Sequence, residues 1–184
     1  IIVLIFLAVF LFANAAQAQD YAVGKGSFIV SGDFRINSVL GDAEHRSLAS
    51  YLHFSPRLMY FPISNLALGI QVAYEDIRFF ESDIEGLAIG PAAVFYIGGK
   101  DKDWFPFIEA AFHVLDFEFE EAGTVTGSGH QFMLGAGYLS FLTDHAAIQG
   151  GIQYYFQNAE LDDTGQSENG KALAIFAGLS YFLY

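Results

Sequence analysis

The sequence predicts an all-β fold, an eight-stranded antiparallel up-and-down transmembrane β-barrel. Three features carry that expectation. Apolar and polar residues alternate with a period of two in eight separate runs, which is the mark of an extended backbone whose successive side chains point to opposite faces. The connections between runs alternate in kind, four long and acidic, three short, as in a meander where every second connection falls at the same end. In every run one parity carries no charge at all.

The runs follow in order. Phe28, Val30, Gly32, Phe34 and Ile36 share one parity of the first, opposite Ser27, Ile29, Ser31, Asp33 and Arg35. In the second, from Leu48 to Tyr60, Leu52, Phe54 and Leu58 oppose His53, Ser55 and Arg57. The third sets Leu66, Leu68, Ile70, Val72 and Tyr74 against Ala67, Gly69, Gln71, Ala73 and Glu75. Leu87–Ile97, Pro106–Val114, Phe132–Tyr138, Ala146–Phe156 and Leu173–Leu183 complete the set. Pro56 and Pro91 fall inside two runs, where each removes a ladder donor, so a bulge or parity slip is expected at both. Long connections are expected near 37–47, 75–85, 116–129 and 158–170, and short ones near 61–65, 98–104 and 142–145.

Composition agrees with this segregation. The 184 residues are 53% hydrophobic, with 20 Phe and 10 Tyr, yet the formal charge is -13. An acidic chain with eight Lys and Arg repels phosphate backbones, so nucleic acid is not an expected partner. There is no Cys, which excludes disulfides and thiolate metal sites. The opening apolar run, Ile1 to Phe12, ends in Ala16-Gln17-Ala18, a small-residue cleavage pattern. Residues 1–18 are therefore expected to be a signal peptide and 19–184 the barrel. The lack of an initiator Met and a positive leader implies that the natural signal starts further upstream.

The uncharged parity decides the orientation. Arg or Lys amid a band costs about 2–4 kcal/mol when the band faces lipid, whereas a soluble barrel needs charge on its outside. The uncharged parity is thus expected to meet acyl chains, and the mixed parity to fill the lumen. The residues assigned to a polar lumen network are Asp33, Arg35, His53, Arg57, Gln71, Glu75, Glu109, His113, Gln149 and Gln153. Similar heights suggest Arg57 with Glu109, and Arg35 with Glu75, as partners. Aromatic girdles are expected from Tyr60, Phe61, Trp104, Phe105 and Phe141 at the short-turn end, and from Tyr74, Phe79, Phe80, Phe117, Phe119 and Phe156 at the other.

These residues resemble the small eight-stranded outer-membrane barrels typified by OmpX and the transmembrane domain of OmpA. The resemblance includes the last strand, "AGLSYFLY", where Gly178, Tyr181 and Leu183 are similar to the C-terminal insertion signal of that family. It implies a structural, surface-interaction protein of a bacterial outer membrane, with periplasmic termini and a plugged lumen. The partners it suggests are outer-membrane lipid and lipopolysaccharide, with a host or surface ligand at the acidic extracellular loops; the chain is expected to be a monomer.

Three other readings compete with it. A narrow pore for small solutes is the runner-up. A rim enzyme is the third, resting on "GSGHQF", where Ser128 and His130 share the outward parity near Glu120 and Glu121. Some lipid A deacylases use a rim His-x-Ser pair, but here the order is reversed and a Gly/Ser-rich turn explains the residues, so no catalytic residue is expected. His53, His113 and Glu109 lack close ligand spacing, so neither a metal nor a cofactor is expected. The acids Asp42, Glu44, Glu75, Asp76, Glu81, Asp83, Glu85, Glu118, Glu120, Glu121, Glu160, Asp162, Asp163 and Glu168 are assigned to the long loops. No spaced calcium-loop pattern occurs among them. A soluble lipocalin-like carrier is the remaining competitor.

Overall fold

The computed structural model describes residues 22–38, 48–79, 83–98, 103–120, 124–161 and 167–184. The expected signal peptide lies outside them. Eight strands form one closed antiparallel barrel: β1 (Phe28–Ser38), β2 (Leu48–Ile63), β3 (Leu66–Phe79), β4 (Asp83–Tyr96), β5 (Trp104–Glu120), β6 (Thr124–Phe141), β7 (Ala146–Leu161) and β8 (Ser167–Leu183). Each strand pairs with its neighbours in sequence, and β1 closes on β8 from Phe28 opposite Leu183 to Ser38 opposite Leu173. Closure gives every strand two partners, which a sheet in hydrocarbon requires because unpaired N–H and C=O groups have no water to bind.

The outer face is the uncharged parity. Leu58, Ile70, Ile89, Ile108, Val114, Ile152, Ile175 and Leu179 are each more than half exposed. On β5 the outward positions from Trp104 to Val114 carry no charge. Ten residue steps at about 3.4 Å and a tilt of about 40° rise about 26 Å, matching the roughly 25 Å apolar band of a membrane barrel. So extended an apolar belt on the outside of a closed barrel is a lipid-facing surface.

The strands outlast the apolar pattern. Asp76, Glu85, Asp116, Glu118 and Glu160, expected on long loops, lie on strands with the outward parity, and the Cα ladder sets Asp76 beside Glu85 and Glu85 beside Glu118. Glu75, Asp83, Glu120 and Glu168 are also strand residues. Asp42, Glu44, Glu81, Glu121, Asp162 and Asp163 lie outside the described residues. The physical reason is that backbone pairing continues into water, where charge on the outer face costs little, so hydropathy stops marking the strand before the ladder ends.

The expected slips at Pro56 and Pro91 do not occur. Pro56 stands opposite Gly32 and Pro91 opposite Ile70 in unbroken ladders. On the other side the register is the same before and after each proline, from Phe54 opposite Tyr74 to Arg57 opposite Gln71, and from Ile89 opposite Val114 to Ala92 opposite Ala111. Each proline thus loses pairing toward one neighbour without moving the strand. The β2/β3 ladder shifts instead at Leu48/Ser50 and at Tyr60/Ile63, around Pro62.

The described N-terminal segment and the C-terminal end of β8 sit at the short-turn end. There residues 22–27 cross under the barrel: Gly26 N–H donates to Phe61 O, Phe61 N–H to Ser27 O, and Asn65 N–H to Val23 O. Gly26 has φ of 96°, a conformation costly for any residue with a Cβ. Asn65, at φ 71°, closes the β2–β3 turn, a role its side chain tolerates.

Candidate functional site: the barrel lumen

The inward parity builds two layers of different chemistry. At the turn end the lumen is apolar. Phe61, Tyr96, Phe105, Phe107, Phe176 and Phe182 are all buried, with Ile29, Met59 and Leu139 between them. Ring centroids lie 5.8 Å apart for Phe61–Tyr96 and Tyr96–Phe107, and 6.2 Å for Phe107–Phe176, within the range where tilted aromatic pairs attract. Val23 from the N-terminal segment caps this layer and is fully buried.

This corrects the girdle expectation. Phe61 and Phe105 point into the barrel, Phe141 packs against the same cluster with its ring 4.8 Å from Phe182, and Phe117 has the inward parity. Position near a turn does not distinguish a girdle from a plug; parity does. Tyr60, Trp104, Tyr74 and Phe156 do face outward. The side chains of Phe79, Phe80 and Phe119 lie outside the described residues.

Above the aromatic layer is a charged one. Arg57 reaches across the lumen from β2 to β5, where its Nη1 donates to Glu109 Oε2 at 2.5 Å, and its Nε donates to Ser31 Oγ at 2.9 Å. Gln153 Nε2 donates to the other Glu109 oxygen at 2.7 Å, and the Tyr155 hydroxyl donates to Gln153 Oε1. Asp33 lies 3.7 Å from both Arg57 and Arg35. Arg35 is in turn 3.7 Å from Glu75, whose Oε1 is 2.9 Å from His53 Nδ1. Two guanidiniums and three carboxylates thus alternate through one connected cluster. Attraction between neighbouring opposite charges offsets part of the cost of burying each of them.

The remaining expected residues bind elsewhere in the wall. Gln71 donates to Ser55 at 2.6 Å, Ser180 donates to Gln149 at 3.1 Å, and His113 Nδ1 meets Gln131 Oε1 at 3.3 Å. All ten expected positions are buried except Glu75, whose side chain is 32% exposed. Ser31 and Tyr155 belong to the charge cluster and share parity with the named Asp33 and Gln153, yet were missed; so was Gln131, the partner of His113. Gly135 was missed as well. A Cβ there would lie 2.6 Å from Glu109 Oε1 and 2.8 Å from its Cγ, so the glycine makes room for the carboxylate. Gly135→Ala is expected to push Glu109 off Arg57 and cost about 1–3 kcal/mol, as overpacked interiors do, read as a lower urea midpoint for the protein folded in lipid vesicles.

Ser128 and His130 both lie exposed on the outer face of β6. Ser128 sits beside Asp116 and Glu160 in the ladder, while the His130 ring stacks on Phe112 at 6.1 Å. Among the described residues, no group of three His, Asp or Glu side chains is placed to hold a metal ion.

With this geometry in view, comparison with known proteins is informative at the level of fold. No family model and no curated protein matches the sequence. Solved structures do match. The N-terminal barrel domain of Pseudomonas aeruginosa OprF superposes with a TM-score of 0.61 at 13% identity, covering 86% of this chain and 98% of that one. Neisserial surface protein A gives 0.59 at 15% identity, over 85% and 97%. Yersinia pestis Ail, the attachment invasion locus protein, gives 0.56 at 15% identity, over 86% and 99%. The chain has the fold of the small eight-stranded outer-membrane barrels, the OmpA/OmpX type.

Proposed function

We propose that this chain is an integral outer-membrane protein with a structural and surface-interaction role, its lumen closed by its own side chains. The carrying observation is the two-layer filling: a capped aromatic cluster at the turn end and a cross-linked charge cluster above it. An eight-stranded barrel is only wide enough for side chains to fill it, and here bulky ones do. The outer belt supports lipid as the surrounding solvent, and the similar solved barrels support the outer membrane as the compartment. Its lipid partners in this reading are outer-membrane lipid and lipopolysaccharide; the protein acts as a monomer, the lumen residues serve as a plug, and catalysis plays no part.

In this reading the surface ligand differs in charge from that of one similar solved barrel. Ail has been solved with the heparin analogue sucrose octasulfate, a polyanion. Here the rim presents Asp76, Glu85, Glu118, Asp116 and Glu160 outward, which repels polyanions and favours a basic surface or a divalent cation bridging to phosphate.

In planar bilayers the purified protein is expected to show no steady single-channel conductance. Before boiling it should run on a denaturing gel at a mobility different from that of the boiled chain, the behaviour of a barrel that detergent alone does not unfold. Sustained conductance would sink the plug and favour the narrow pore.

A further inference from the structure

On the outer face each strand from β3 to β8 passes from apolar to polar at one position near the loop end. Beyond the aliphatic and aromatic belt, the first polar outward residues are Asp76 on β3, Glu85 on β4, Asp116 on β5, His130 on β6, Asn158 on β7 and Lys171 on β8. They step steadily across the ladder. Asp76 faces Glu85, and Glu85 faces Glu118, one outward position past Asp116. His130 faces Val114, one outward position short of Asp116, and Asn158 faces His130. Lys171 faces Phe156, one outward position short of Asn158. A plane cutting across tilted strands leaves this pattern, so the six mark a single level where hydrocarbon meets water.

That level is electrically divided. Its β3–β5 arc holds three carboxylates, whereas its β6–β8 arc holds an imidazole, an amide and an ammonium. Lys171 is the one outward cation among the strand residues whose side chains are described. It also borders the loop-end cavity that Glu75 lines, but Glu75 is engaged by Arg35 and His53, and no ion pair joins Lys171 to a described carboxylate. Glu160, the outward acid above this arc, lies four residues along β7 from Phe156. That is about 13–14 Å at about 3.4 Å per residue, beyond the roughly 8–10 Å over which exposed charges act. An ammonium at the edge of hydrocarbon reaches the interface along its apolar stem, and the counter-ion a membrane offers there is lipid phosphate.

The groups beside Lys171 suit a sugar. Asn158 Nδ2 donates to Asn169 Oδ1 at 3.0 Å, which leaves Asn158 its carbonyl oxygen and Asn169 its amide hydrogens for hydroxyl groups. His130 presents an exposed imidazole stacked 6.1 Å from Phe112. On the membrane side, the exposed rings of Phe132 and Phe156 lie 6.4 Å apart. A simple phospholipid headgroup would use Lys171 alone. The row His130–Asn158–Asn169 spans three strands, about 10 Å, and calls for a wide headgroup with several hydroxyls. We propose that the β6–β8 arc binds the phosphorylated sugar headgroup of an outer-leaflet glycolipid. The phosphate sits on Lys171, the sugar hydroxyls on Asn158, Asn169 and His130, and the acyl chains on Phe132 and Phe156. The inference rests on the outer-membrane reading and goes beyond it by naming the headgroup and its contacts.

The test uses the isotopically labelled protein in phosphatidylcholine nanodiscs with EDTA present, so that no divalent cation bridges phosphate to the acidic arc. The nanodiscs carry increasing fractions of diphosphoryl lipid A, of its dephosphorylated form or of phosphatidylglycerol, and the side-chain amide resonances of Asn158 and Asn169 are followed. Lipid A is expected to give saturable shifts, with the other two at least about fivefold weaker, a difference of roughly 1 kcal/mol. Lys171→Gln should lower lipid A affinity about fivefold, the roughly 1 kcal/mol that one lysine contributes against anionic lipid. Lys25→Gln removes the same charge from the exposed turn end and should leave the affinity unchanged. Phosphatidylglycerol or dephosphorylated lipid A binding as tightly as lipid A, or full affinity in Lys171→Gln, would each overturn the proposal. A protein that enters the nanodiscs and shows no lipid preference would overturn this inference alone; one that does not enter them would overturn the outer-membrane reading with it.

Discussion

Replacing Glu109 with alanine is expected to destabilise the folded barrel by about 3–5 kcal/mol, the cost of leaving a buried charge without its partner. Arg57 would keep only Asp33 at 3.7 Å and the Ser31 hydroxyl, and Gln153 would lose the acceptor for its amide. The measurement is the urea dependence of folding into lipid vesicles, followed by the fluorescence of Trp104, the one tryptophan of the chain. The double variant Arg57→Met with Glu109→Leu should recover most of the loss, because it removes both charges and leaves Asp33 beside Arg35. Such replacements of buried ion pairs by apolar residues are often neutral or better. If Glu109→Ala costs less than about 1 kcal/mol, as exposed pairs do, then Arg57 is reached by water, and the middle of the lumen is a wet passage.

The contrast between single and double variants also separates two roles for the cluster. Charges retained only for stability would be dispensable together. Charges that keep the lumen closed would not be, and the double variant would then fold well yet conduct in planar bilayers. Both readings rest on the same three strands, because Arg57 on β2 ties β1 through Ser31 and β5 through Glu109.

How far the sequence revealed this arrangement depends on which face a residue occupies. Inside the membrane, each position is filtered by its solvent. Ile152 can only be apolar and Gln153 need not be, so period-two alternation survives and strand number, order and facing can be read from it. Beyond the hydrocarbon the filter is gone. Glu118 is as acceptable on an outward strand position as on a loop, and nothing in "DFEFEEAG" says that the ladder continues to Glu120. The lumen is filtered weakly too, since it accepts any side chain that finds partners. Hence Arg57 and Glu109 stood out by charge, whereas Phe61 and Phe105 looked like girdle residues until the parity of their strands was fixed in space. Gly135 left no sequence signal, because its value lies in the Glu109 carboxylate that fills the space beside it. Pro56 and Pro91 misled for a different reason. A residue in an antiparallel strand bonds one neighbour only, so a proline can lose its donor toward one side while the opposite ladder holds the strand in register.

Placing arginine at Ile152 tests the orientation on which the lipid assignment rests. Ile152 is 53% exposed on the outer face of β7, flanked in the ladder by Ala136 and Ile175, with uncharged outward neighbours Gly150 and Tyr154 along its own strand. Ile152→Arg is expected to cost about 2–4 kcal/mol for folding into vesicles, the penalty for a cation near the bilayer midplane. Glu160→Arg on the same strand and the same face lies past the last apolar outward residue, Phe156, and should cost about 0–1 kcal/mol, as charges near the interface do. A strand that bears the two substitutions so differently must cross from hydrocarbon to water between them. A barrel standing in water would give the opposite order of merit: arginine at a half-exposed isoleucine would change stability little and would improve solubility. Equal tolerance at the two positions would therefore remove the lipid from around the belt, and the outer-membrane placement would go with it.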